Sequence, residues 1–150
     1  MSKEALSYLY RIISRKDYTE LEIREKLYLK FDLESSTIER IINKLKKEGL
    51  IDDMRFAHNY VENKILAGYG SLYIIAALRR KGINIDEGFI GNILNSMDID
   101  IIRENIKKIL IKKHFLNIDK CYAFLQRRGF KTDEIKELLT EVNKYGSSIF

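Results

Sequence analysis

The chain has 150 residues, of which 45% are hydrophobic and 33% charged, with a formal net charge of +5; this composition excludes a disordered polyelectrolyte and a bundle of membrane spans. A domain of this length buries about 70% of its unfolded surface, which leaves little room for separate cofactor and substrate domains. The single Cys121 excludes an internal disulfide, and the charged N-terminal stretch lacks the apolar run of a secretion signal, so the sequence predicts a reduced, cytoplasmic, unprocessed protein.

Absence of proline and a scarcity of glycine leave the 3.6-residue apolar period unbroken for long stretches. Ile38, Ile41, Ile42 and Leu45 recur at three- and four-residue spacing rather than in alternation, so the abundant isoleucine reads as helix and the chain as all-α. In chain order, the first helix is predicted over 3–15. The second, over 19–30, opens on Thr19-Glu20-Leu21-Glu22, where a hydroxyl and a glutamate can satisfy the first N–H groups reciprocally. Ser36-Thr37-Ile38-Glu39 fits the same capping box in the third helix, over 35–48, which Gly49 ends. The fourth, over 53–66, is headed by Asp52-Asp53; one aspartate is expected to cap and the other to meet the positive end of the helix dipole, with Phe56, Ala57 and Tyr60 as the apolar face and Arg55 a surface charge beside them. After the turn Gly68-Tyr69-Gly70, Ser71 is expected to cap the fifth helix, over 71–81, which Gly82 ends. The sixth, over 86–96, is capped by Asp86; the seventh spans 99–113; the eighth, over 118–128, ends at Gly129; and Thr132 is expected to cap the ninth, over 132–144.

These nine helices fall into three groups of three. Leu78-Arg79-Arg80-Lys81-Gly82-Ile83 closes the fifth helix and Leu125-Gln126-Arg127-Arg128-Gly129-Phe130 closes the eighth; the matching stretch of the first group, Leu27-Tyr28-Leu29-Lys30-Phe31-Asp32, lacks the glycine. An apolar anchor follows each leucine at a similar distance, at Ile38, Phe89 and Ile135. The sequence therefore predicts one repeat-built domain of three tandem three-helix units, near residues 1–50, 51–97 and 98–150, in an elongated or curved array with helix-turn-helix-like units. Such an array suits a polymeric partner better than a small metabolite.

Catalytic residues are scarce. His58 and His114 lie in different units, with no spacing that assembles a zinc or di-iron site, and neither Ser36 nor Ser71 sits in a nucleophile elbow. Gly68-Tyr69-Gly70-Ser71 lacks both the lysine and the preceding strand of a phosphate loop. The expectation is a non-enzyme without cofactor or metal.

Basic residues are the remaining signal. The balance is +2 over residues 1–50, −2 over 51–100 and +5 over 101–150, compatible with ordinary solubility and with a polyanionic partner met by the last third. Candidate contacts are Arg79, Arg80 and Lys81; Lys107, Lys108 and Lys112 on the seventh helix; and Arg127, Arg128 and Lys131. On the seventh helix Ile102, Ile106, Ile109 and Leu110 share one arc, and the cations spread over the remainder.

The run Ile51-Asp52-Asp53-Met54-Arg55-Phe56-Ala57, the Gly68-Tyr69-Gly70 turn and the helix end Leu78-Arg79-Arg80-Lys81-Gly82-Ile83 resemble, in order and spacing, the RecX family of bacterial regulators of the RecA recombinase. Tyr18-Thr19-Glu20-Leu21 with Leu27 resembles the family's first unit; beyond Ile83 the resemblance rests on the repeat alone. This chain departs from the family where Ser71-Leu72-Tyr73-Ile74 replaces Pro-x-Arg-Ile, losing a basic contact at Tyr73, and where Ala77 replaces an acidic residue; Arg55, Lys64, Arg79, Arg80 and Lys81 remain as the polar candidates of that unit. The resemblance implies a regulator, most simply an inhibitor, that binds the RecA filament on single-stranded DNA and lowers its ATPase, strand-exchange and coprotease activities in DNA repair and the SOS response. Direct contact with single-stranded DNA stays open. Neither a membrane nor a small-molecule substrate is implied, and without a heptad seam the chain is expected to be a monomer. The alternative is a stand-alone helix-turn-helix nucleic-acid binder using the basic last third.

Overall fold

Each predicted helix forms with bounds close to the sequence reading. A computed structural model describes residues 2–113 and 117–144, without the side chains of 141–144, and its described residues form nine helices and no strand. They are α1 (Lys3–Ile13), α2 (Glu20–Lys30), α3 (Ser35–Lys47), α4 (Asp53–Leu66), α5 (Ser71–Arg80), α6 (Glu87–Asn95), α7 (Ile99–Lys112), α8 (Ile118–Arg127) and α9 (Thr132–Lys144).

The residues group into two bodies, Met1–His58 with Leu78–Ile83, and Asn59–Ala77 with Asn84–Phe150. In the first, Ala5 and Leu9 of α1, Ile23 and Leu27 of α2, and Ile41, Ile42 and Leu45 of α3 are buried with Ile51. Each such large aliphatic side chain contributes about 1.5–3 kcal/mol by leaving water. α2 and α3 pack together, and an ion-pair cluster ties them across their polar side. Arg24 meets Glu20 at 3.2 Å and Glu39 at 2.5 Å, and Lys46 meets Glu20 at 2.8 Å. In the second body the core is formed by Val61, Ile65, Ile74, Ile90, Ile93, Ile102, Ile106, Leu110, Cys121, Phe124, Leu125, Ile135 and Leu139. Cys121 is buried, and burial pushes its thiol above its ordinary pKa.

The helix starts show which caps are local and which are not. The capping box at Thr19 forms: its hydroxyl accepts from Glu22 N–H while the Glu22 carboxylate accepts from Thr19 N–H. Asp86 caps α6, and Asp52 Oδ1 accepts from Arg55 N–H at the head of α4. Three expectations are corrected. Ser36 is not a cap, because α3 begins at Ser35 behind Glu34 and the Glu39 carboxylate that the box required is taken by Arg24. Ser71 is the first helical residue of α5 rather than its cap; the next N–H, of Leu72, is satisfied by the carbonyl of Gly129. Thr132 likewise lies inside α9, where its hydroxyl accepts from Tyr122, and the preceding Lys131 N–H is met by Glu134.

Four helix ends, those of α3, α4, α5 and α8, follow one rule. At Gly49, Gly68, Gly82 and Gly129 the φ angle is positive, and the two N–H groups from the glycine onward turn back to helix carbonyls, as Gly82 and Ile83 do to Arg79 and Leu78.

Candidate binding surface

The glycine ends of α5 and α8 are joints as well as caps. In the first body the Thr19 hydroxyl, fully buried, donates to the Lys81 carbonyl at 2.7 Å. A Cβ on Gly82 would lie 2.7 Å from Leu21 Cβ, so only glycine lets the end of α5 reach the head of α2. In the second body the Gly70 N–H donates to the Arg128 carbonyl at 2.8 Å, and a Cβ on Gly129 would lie 2.6 Å from that of Tyr73. Lys81 and Arg128 occupy the same repeat position, and so do Thr19 and Gly70. The first repeat position, Phe31, follows α2 at φ −127°, extended backbone that needs no glycine.

This arrangement sorts the predicted contact residues into two sets. Lys81 is half-buried, pairs with Glu22 at 3.4 Å and lies 5.9 Å from the Phe56 ring. Arg128 lies 4.1 Å above the Tyr69 ring and 4.9 Å from that of Phe124, and donates to the Ala67 carbonyl at 3.3 Å. Lys64 approaches the same Tyr69 ring at 5.0 Å, and Tyr69 stacks on Tyr73 at 4.3 Å. Lys131 is paired with Glu87, which raises its pKa above the ordinary lysine value. These four cations have partners within the fold.

The second set points outward. Arg79 and Arg80 at the end of α5, Arg127 at the end of α8, and Lys108 and Lys112 on α7 are exposed and engage no side-chain partner among the described residues; Lys107 is half-exposed. Arg55, also exposed, donates to the Gly49 carbonyl at 3.1 Å instead of pairing with the adjacent aspartates. On α7, Ile102, Ile106 and Leu110 are buried as predicted, and Ile109 packs where a Cβ on Gly68 would lie 2.8 Å from it. Arg79 with Arg80, and Arg127, thus mark equivalent helix ends with uncompensated positive charge.

The remaining motif residues are structural. Ala57 and Leu78 are buried, Phe56 is half-buried, and Asp53, placed by sequence only at its own helix dipole, accepts from Glu20 N–H at the head of α2. Sequence reasoning missed Asp53's second role, Tyr69 as the cation platform, and Asn105, whose amide donates to the Leu66 carbonyl; each depends on a partner distant in sequence. His58 is exposed on α4, whereas His114 lies outside the described residues. Among the described residues no group of three His, Cys, Asp or Glu side chains is placed to hold a metal ion, and no helix is long and apolar enough to cross a membrane.

Fold and surface together define an all-α protein of tandem three-helix repeats, whose helix ends carry outward cations. Residues 52–86 match the model of the second three-helix domain of RecX. The chain is 28% identical over 149 residues to the regulatory protein RecX of Haemophilus influenzae (strain PittEE), covering 93% of this chain and 95% of that one. It is likewise 28% identical over 145 residues to the Legionella pneumophila (strain Corby) protein of the same name, with the same coverage. A crystal structure of regulatory protein RecX superposes with a TM-score of 0.68 at 27% identity, over 92% of this chain and 70% of that one. The RecX structure from Lactobacillus salivarius, at 24% identity and a TM-score of 0.72, shares the fold over 94% of this chain and 96% of its own. The resemblance to the RecX family is thereby borne out, and the alignments carry it past Ile83, where the motifs stop.

Proposed function

We propose that this chain regulates the RecA recombinase by docking along its filament on single-stranded DNA, lowering ATP hydrolysis and, with it, strand exchange and coprotease activity. The observation that carries the reading is the equivalent placement of Arg79–Arg80 and Arg127, exposed and unpaired among the described residues, at two successive repeat ends of a RecX-like chain. Repeated weak contacts along a repeated ligand add through effective concentration, so no single deep pocket is required. Outward arginines also steer the approach to an acidic surface and make binding salt-sensitive. On this reading three units, near 1–50, 51–97 and 98–150, act together in a cytoplasmic monomer that performs no chemistry of its own.

The test is single-stranded-DNA-dependent ATP hydrolysis by RecA from the same organism, with the protein added well below one per protomer. A fall in rate, relieved by the double substitution Arg79→Glu and Arg80→Glu, supports filament regulation. An unchanged rate overturns it. If the protein then binds DNA without the filament and Arg127→Ala weakens that binding, the helix-turn-helix reading replaces it.

A further inference from the structure

At the end of α2 the repeat breaks its own charge pattern. Tyr28 and Leu29 occupy the positions that hold Arg79 and Arg80 on α5, and they are 80% and 85% exposed, the most exposed large apolar side chains among the described residues. They stand between two hollows. One, a groove of about 450 Å³ between α2 and α3, is lined by Arg24, Glu25, Ile38 and Glu39 with Tyr28 and Leu29 themselves. The other, of similar volume, follows the chain from Tyr28 to Leu33.

The charges at the groove are unequal. Arg24 is consumed by Glu39 and Glu20, whereas Glu25, one turn before Leu29 on the same helix face, has no side-chain partner among the described residues. The groove therefore offers an apolar seat beside one uncompensated carboxylate. Tyr28 and Leu29 together expose on the order of 300 Å², well under the ~800 Å² per partner of a stable interface. That area is the size of one anchor in a contact made at several points.

We infer that the Tyr28–Leu29 groove is an apolar anchor for the filament protein, receiving an amphipathic segment that presents one large apolar side chain with a lysine or arginine beside it. This inference rests on the proposed filament regulation and assigns the first unit's share of it: where later units offer cations, the first offers an apolar seat and an anion.

The test measures binding of the full chain to RecA filaments assembled on single-stranded DNA, by biolayer interferometry at several salt concentrations. Tyr28→Ser combined with Leu29→Ser is expected to weaken binding about tenfold, or about 1.4 kcal/mol, without changing the salt slope or the melting temperature. Glu25→Lys is expected to weaken it several-fold and to alter the slope. Wild-type affinity in both variants overturns the anchor while leaving filament regulation intact. No binding by the wild-type chain overturns both readings. Micromolar self-association that the double variant abolishes overturns the anchor in favour of a second copy.

Discussion

The hydroxyl of Thr19 donates to the carbonyl of Lys81, 62 residues later in the chain, while accepting from the N–H of Glu22. One buried side chain thus caps α2 and fastens the end of α5. Its removal leaves a helix N-terminus and a part-buried carbonyl both without that partner. Thr19→Val, which keeps the volume, should destabilise the protein by roughly 2–3 kcal/mol, summing a lost cap and a lost buried hydrogen bond. Urea denaturation followed by circular dichroism measures this; a loss under 1 kcal/mol would show that water replaces both partners.

Glycine-to-alanine substitutions should separate backbone strain from steric conflict. Gly49→Ala meets nothing within 4 Å and bears only the left-handed conformation, a cost of about 1–2 kcal/mol. Gly82→Ala and Gly129→Ala add a collision with Leu21 and with Tyr73 respectively, so each should lose more stability than Gly49→Ala, by about 1 kcal/mol or more. Equal losses at the three sites would mean that these joints give way.

Arg127 and Arg128 are adjacent yet differ in kind. Arg128→Ala removes the stacking on Tyr69 and the bond to the Ala67 carbonyl, and should lower stability by about 1–2 kcal/mol. Arg128→Lys should recover little of it, because a compact ammonium does not reproduce the planar stack. Arg127→Ala should leave the melting temperature unchanged and weaken only partner binding. A melting shift in the Arg127 variant would contradict its outward placement.

Three carboxylates of the first body are held below their ordinary range. Lys46 holds Glu20, and Arg24 holds Glu39, below the ordinary glutamate value of 4.5; Lys44 and Tyr10 do the same to Glu48. A carboxylate whose pKa falls on folding contributes stability above its unfolded pKa, and loses it as pH drops through the folded one. The melting temperature should therefore show no loss from these groups between pH 7 and about 4.5 and decline below that. High salt should shrink the decline, because the pairs are largely exposed. A melting temperature indifferent to pH down to 3 would show that these carboxylates titrate alike in the folded and the unfolded chain.

The legible parts of this protein are those written within a few residues. The box at Thr19, the cap at Asp86, the burial of Ile102, Ile106 and Leu110, and the glycine ends of α5 and α8 all follow from local spacing, and all are present. The illegible parts need a distant partner. Ser36-Thr37-Ile38-Glu39 satisfies every local requirement of a capping box and fails because Arg24, on another helix, holds Glu39 more strongly. Arg127 and Arg128 look alike in sequence; which one faces water depends on Tyr69, some sixty residues away. The missing glycine of the first unit, visible as an irregularity, becomes intelligible once Gly82 and Gly129 are seen to make room for a neighbouring helix head, whereas Phe31 continues in extended backbone.

The membership of Leu78–Ile83 in the first body has a consequence for how the chain is made. Translation delivers residues 1–58 long before Lys81, so during synthesis Thr19 waits without its carbonyl and Leu21 without Gly82. The first body reaches its final hydrogen bonding only after α4 and α5 have emerged. A ribosome stalled between residues 58 and 78 therefore carries an unfinished first body, and pulse proteolysis of such stalled chains should find it more easily cleaved than after residue 83 is free of the exit tunnel.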